Sequence, residues 1–256
     1  MQINWDLYWN IIYKIGSRYY MVAGLIFFLF YVLLKKSWAY KKLQTKDAKT
    51  KDFIREIFYS STTIMIFGLF VYILHHPAVA PYTTRYLEIA DRGWVYYFAV
   101  FPVLFFMHDT YFYFTHRAMH HPALFKWFHL VHHQSTNPSP WAAYAFHPLE
   151  AVVEQGIVFI FYFTLPIHIT HLALFFLFSI VYNIYGHLGY ELYPRSFAKS
   201  SIGRWVNTST SHNQHHQYFK GNYGLYLLVW DRVFGTIRED YDQRFEEVTT
   251  REKTTV

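Results

Sequence analysis

The chain contains no cysteine. That absence removes disulfide frameworks, thiolate zinc sites, iron–sulfur clusters and a thiol nucleophile together. Charge is scarce as well: Asp, Glu, Lys and Arg make up 16% of the residues, against about 25% in an ordinary soluble domain. There is no glycine-rich nucleotide fingerprint and no HPGG-type haem-binding stretch, and no internal repeat or low-complexity tract is evident. The formal net charge of +6 does not form a nucleic-acid-binding face, because seven lysines crowd between Lys35 and Lys51, directly after an apolar run. Basic residues placed so are the usual mark of a cytoplasmic loop beside a membrane.

What is present in excess is apolar and aromatic. Hydrophobic residues account for 53% and aromatics for 23%. The mean hydropathy of +0.06 understates this, because tyrosine and histidine count as polar on such scales. Four stretches carry no charge: between Arg18 and Lys35, Ile57 to Leu74, Gly93 to Met107 (which continues as an aromatic helix through Phe114), and Gln155 to Tyr190. The last is too long for one pass and reads as a hairpin broken near Pro166. The first is slightly short against the roughly 17–25 residues of a spanning helix, a gap that snorkelling Arg18 and Lys35 can close. Asp6 and the lack of a small-residue cleavage site favour a retained anchor over a cleaved signal. The expected fold is therefore all-α: an integral-membrane bundle of about four to five membrane-embedded helices. With the lysine loop cytoplasmic, the loop from His75 to Arg92 faces outward, and residues 108–150 and 187–238 meet on the cytoplasmic side.

That convergence gives meaning to the histidines, of which there are 16. His116 and His120 form an H-x3-H; His129, His132 and His133 form an H-x2-H-H; His212, His215 and His216 form another. Helical residues at i, i+3 and i+4 share a face, so each cluster aims its imidazoles at one point. A lone H-x3-H carries little weight, but three clusters on one side point to a metal centre. Eight nitrogen donors exceed the needs of one tetrahedral zinc. Two metals with about four histidines each is the natural count, and imidazoles alone do not choose among iron, copper, nickel and zinc. The expectation is a cytoplasmic, histidine-rich helical cap holding a di-metal site. By contrast His75, His76, His168 and His171 map to the outer side and read as interfacial residues. His121 points off the face of His116 and His120.

Motif order, spacing and flanking residues in HDTYFYFTHRAMHH (108–121), HLVHHQSTNPSPWAAYAFHPLE (129–150) and HNQHHQYFKGNYGLYLLVWDRVFGT (212–236) resemble the fatty acid hydroxylase superfamily, within it the sterol desaturase branch. The likeness runs over roughly residues 94–238. It divides the chain into an N-terminal membrane region (1–92), a catalytic domain (93–240) and a polar tail (241–256) expected to fray. The resemblance implies two iron ions, O2 and hydroxylation or desaturation of a lipid, whether sterol, fatty acyl or sphingoid-like. It also implies a further ligand between the second and third motifs, for which His187 is the candidate, with Asn183 one turn earlier and His147 as additional possibilities. Asp109 and Glu150 sit beside the motifs, and carboxylates commonly accept the second N–H of a ligating imidazole; an ion pair of Asp109 with Arg117 is the competing reading.

Lacking a redox module of its own, the chain is expected to draw electrons from a separate carrier: a b-type cytochrome, a ferredoxin or a flavoprotein reductase. The segment 223–234 reads as amphiphilic, part of a lipid entrance at the interface. Asn207-Thr208-Ser209 matches a glycosylation sequon, but on a cytoplasmic face. The alternative function is a histidine-rich membrane metal transporter or metal-binding protein, whose ligands should lie at mid-bilayer.

Overall fold

The computed structural model describes residues 4–253, and all its regular elements are helices. Helix α1 spans Trp5–Phe27 and continues as π-helix over Phe28–Leu33. Helix α2 (Thr50–His75) runs back beside it. Helix α3 (Gly93–Met119), the short α4 (Pro122–Phe128) and α5 (Leu130–His133) follow. The hairpin arms are α6 (Pro148–Thr164) and α7 (Ile169–Gly186). Last come α8 (Ser209–Tyr218), α9 (Val229–Val233) and α10 (Tyr241–Thr249).

Three helical stretches are long and apolar enough to cross a membrane: Trp5–Leu33, Thr50–His75 and Ile169–Gly186. The first begins well before Arg18, the edge of the uncharged run. Arg18 lies inside α1, and its Nη1 donates to the backbone oxygen of Ala173 on α7. Helix α6 starts at Pro148, which needs no intrahelical partner for its missing N–H, and ends where Leu165 and Pro166 open the hairpin.

Two apolar clusters hold the bundle. Leu104, Phe112, Phe161, Tyr162, Leu172 and Phe175 join α3, α6 and α7. Tyr19, Ala23, Ile64 and Phe67 join α1 and α2 to the Ala143–Phe146 segment and to Ile180 and Ile184 of α7. The stacking of Tyr19 on Tyr144, with centroids 4.9 Å apart, ties the N-terminal helices to the segment after the second histidine cluster. Of the tail expected to fray, residues 254–256 lie outside the described residues, and Tyr241–Thr249 is instead a helix: Tyr241 and Phe245 are buried against Ala198 and Leu228, and Arg244 donates to the Leu43 carbonyl. Its polarity on one face hid an apolar stripe on the other.

Candidate metal centre

Helix α8 is the most polar helix of the fold's interior, and Ser209 to His216 are all buried. A buried polar helix is stable only if its groups find partners. Thr208 caps it by accepting from Ser211 N, and Glu191 Oε2 accepts from both Thr210 N (2.9 Å) and Thr210 Oγ1 (2.7 Å). The other oxygen of Glu191 takes the Tyr185 hydroxyl. This carboxylate at the positive end of α8 is electrostatically favourable. Nothing in the sequence motifs marks Glu191; it stands four residues after His187, and its partner lies 19 positions away. Beyond α8 the chain turns through Phe219 (φ 61°), Gly221 (φ 81°) and Asn222 (φ 54°). A Cβ on Gly221 would lie 2.7 Å from the Thr236 oxygen, so only glycine fits there.

The structure brings nine histidines together in two groups. His116, His120, His129, His133 and His215 form one; His132, His187, His212 and His216 form the other, and within each group the nearest ring nitrogens all lie within 4.8 Å of one another. The two H-x2-H-H clusters do not each aim at one point, as their spacing suggests, but are split: His132 joins one group and His129 and His133 the other, while His215 parts from His212 and His216.

Five of the outward nitrogens are held in place, whereas the Nδ1 atoms of His132 and His133 are buried without a partner among the described residues. His116 Nδ1 donates to Tyr223 O (2.8 Å), His215 Nδ1 to Gly221 O (2.8 Å), His216 Nδ1 to Ser135 O (3.0 Å) and His187 Nδ1 to Asn183 O (2.8 Å). His129 Nδ1 meets Glu150 Oε1 at 2.6 Å. A neutral imidazole carries one N–H, so a proton spent on Nδ1 leaves a bare lone pair on Nε2. His187 and His216 both spend theirs on carbonyls, yet their Nε2 atoms are 3.1 Å apart. Protonation would relieve the repulsion between those lone pairs, but burial opposes it. Desolvation pushes His187 down to about 4 and holds His132, His133, His212, His215 and His216 well below the ordinary imidazole value. What satisfies converging, neutral, inward-facing Nε2 atoms is a cation between them, and an all-imidazole donor set suits iron among other transition metals.

The remaining candidates have other partners. Asp109 accepts from Tyr226 N and Leu227 N rather than from an imidazole. Arg117 donates to the Tyr113 hydroxyl, so the alternative Asp109–Arg117 ion pair is absent. Asn183 serves through its backbone oxygen, while its side chain donates to Ala143 O. His147 and His121 stand apart from both groups and cap α6 and α4 through their Nδ1 atoms. His171 is fully buried rather than interfacial: it accepts from His168 N and donates to Tyr97 O. The sequon Asn207 is buried, its amide donating to Gly224 O and Leu225 O. Residues 223–228, expected at a lipid entrance, are largely buried support for α3 and for His116; only Val233 and Phe234 at the end of that segment are exposed.

Residues 101–236, just over half of the chain, match the family model described as fatty acid hydroxylase. The chain belongs to the fatty acid hydroxylase family. All nine histidines fall inside the matched stretch. The lathosterol oxidase of Rattus norvegicus is 34% identical over 161 residues, 61% of this chain and 52% of the relative. A Delta(7)-sterol 5(6)-desaturase of Aspergillus fumigatus is 32% identical over 172 residues, 67% of this chain and 47% of the relative. One from Leptosphaeria maculans is 28% identical over 231 residues, 89% of this chain and 60% of the relative. Such names agree with the sterol desaturase branch that the motifs resemble. The chain spans about half the length of the first of these curated relatives. No solved structure matches it.

Proposed function

We propose that this fatty acid hydroxylase family member is a membrane-bound, O2-dependent oxidoreductase that hydroxylates or desaturates a lipid, using two iron ions held by the nine histidines. The observation that carries the reading is the pair of bare Nε2 lone pairs of His187 and His216 at 3.1 Å, repeated in kind around both groups. His116, His120, His129, His133 and His215 hold one ion, and His132, His187, His212 and His216 the other. Bound iron would supply O2 activation and the removal of hydrogen from an unactivated C–H bond. The protein supplies the rest. The carbonyls of Tyr223, Gly221, Ser135 and Asn183 and the Glu150 carboxylate fix ring orientation and tautomer. Phe112, with its ring 4.9 Å from His116, and Phe146, 5.1 Å from His132, form apolar walls that exclude water. The names of the relatives favour a sterol-like substrate. Electrons come from a separate carrier, a b-type cytochrome, a ferredoxin or a flavoprotein reductase, on the cytoplasmic side where the histidines lie.

The transporter alternative asks for ligands at mid-bilayer, within the spanning helices. Here they close into two buried groups, and the family match lends that alternative no support. The test combines metal analysis of the purified protein with lipid profiling of a host expressing the wild type or His187→Ala. Expected are two irons per chain and an oxidised lipid made only by the wild type. An unchanged lipid profile together with metal uptake into the cell would overturn the reading.

A further inference from the structure

An apolar cavity of about 400 Å³ lies between α1, α2, α6 and α7, away from the histidine groups. Its walls include Val158 and Tyr144, and two cations of α1, Lys14 and Arg18, line it as well. Both belong to the stretch Trp5–Leu33 that is long enough to cross a membrane. Arg18 precedes Leu33 by fifteen residues, about 22 Å along the helix, and Lys14 stands one turn further out. In a hydrocarbon core of about 30 Å this places both cations toward the boundary opposite Leu33, where long cationic side chains reach the headgroups. Among the described residues neither cation has a carboxylate partner. Arg18 spends one donor on the backbone oxygen of Ala173, which lines the same cavity from α7, and a guanidinium has five donors. Exposed Ala173 and Lys14 place this edge of the cavity at the surface of the bundle.

The other end of the cavity points toward the metal centre. Gln155 lines it and lies five residues, about 7–8 Å, along α6 from Glu150. The ring of Tyr144 is 6.3 Å from that of Phe146, which is 5.1 Å from His132. An apolar chamber with unpaired cations at its lip and an aromatic path to the histidines at its floor fits one kind of ligand. We infer that the cavity binds an anionic amphiphile, its acidic head at Lys14 and Arg18 and its apolar body directed at Tyr144. This deepens the lipid-oxidation reading and rests on it for the identity of the ligand as substrate. It narrows that substrate to a lipid bearing a negative charge, which the sterol names of the relatives do not state.

The test is equilibrium binding to the full-length protein in phosphatidylcholine nanodiscs, with two matched pairs of probes: oleate against oleyl alcohol, and cholesterol sulfate against cholesterol. The anion of at least one pair should bind about ten-fold tighter than its neutral counterpart, a difference of about 1.4 kcal/mol. The pair that shows it identifies the body as chain or ring. Lys14→Gln with Arg18→Gln should abolish the preference, and Lys14→Arg with Arg18→Lys should retain it. Ala173→Trp, at the exposed lip, should block anion and neutral probe alike. Equal affinity within both pairs would overturn the inference. So would anion binding that survives Ala173→Trp, which would place the charge on the lipid-facing surface instead. Iron content of the same samples separates the two readings: an iron-loaded protein without anion preference sinks this inference alone, whereas an iron-free wild type sinks the metal reading whatever the probes show.

Discussion

Each imidazole of the centre has one proton to place, and the acceptors around it decide where. Spacing on a helix brings Nε2 atoms to a common point, but it does not say which nitrogen is protonated. Glu150 brings a buried carboxyl group to this shell, 2.6 Å from His129 Nδ1 and 1% exposed. Removing it with Glu150→Ala leaves His129 free to turn and should weaken metal binding about 10–100-fold. Glu150→Gln keeps an acceptor oxygen and should cost less. Chelator competition measures both, and an Ala variant that holds metal as tightly as the wild type would deny Glu150 this role. His147→Ala is the contrast. His147 accepts from Leu149 N at the start of α6 and touches neither histidine group. Metal content should be unchanged, while the loss of a cap lowers stability by about 0.5–2 kcal/mol. Sequence adjacency could not separate the two, since both lie within four residues of one Pro148 turn.

Helices α5 and α8 were legible because 3.6-residue periodicity acts within one segment. Their supports were not, because these come from far along the chain: Ser135 O serves His216 from 81 positions away, and Tyr223 O serves His116 from 107. Helix α1 is longer than its uncharged run for a related reason. Lys14 and Arg18 break the uncharged run that marks a span, yet the helix continues through them from Trp5. The α6–α7 turn makes the opposite point, since His168 and His171 have ligand spacing without a metal site. His168 caps α7 through Thr170 N and donates to Leu87 O, and His171 bridges His168 N and Tyr97 O. At about 1.5 Å per residue, the sixteen residues from His171 to His187 cover roughly 24 Å. His168→Gln with His171→Gln should therefore keep the full metal stoichiometry while lowering the melting temperature, with about 1–3 kcal/mol lost per buried bond broken. Metal loss from the correctly inserted double variant would contradict the separation of the two ends.

Across the whole molecule, backbone hydrogen bonds define two ends of the bundle. At one end the lysine-rich loop is tied to the chain leaving α7: Leu43 N donates to Gly189 O (2.9 Å) and Glu191 N to Lys41 O (3.0 Å). At the other, the loop after α2 is tied to the α6–α7 turn: Thr84 N donates to Tyr162 O (2.8 Å) and Tyr86 N to Ile167 O (3.0 Å). The histidine groups belong to the first end, because Glu191 also anchors α8. We propose from charge that the first end faces the cytoplasm: it carries seven lysines from Lys35 to Lys51, against Arg85 and Arg92 in the opposite loop. A chain without cysteine is suited to a direct check. Thr45, Ser201 and Glu88 are exposed, so single cysteines there are open to a membrane-impermeant maleimide. Thr45→Cys and Ser201→Cys should react only when the cytoplasmic face is opened, and Glu88→Cys only from outside. Labelling of positions 45 and 201 from opposite faces would break the link between the lysine loop and the α7 exit, and with it the placement of the metal centre. Labelling of all three in the reverse sense would leave that link intact and turn the molecule over, moving the histidines and the electron carrier they need to the outer side.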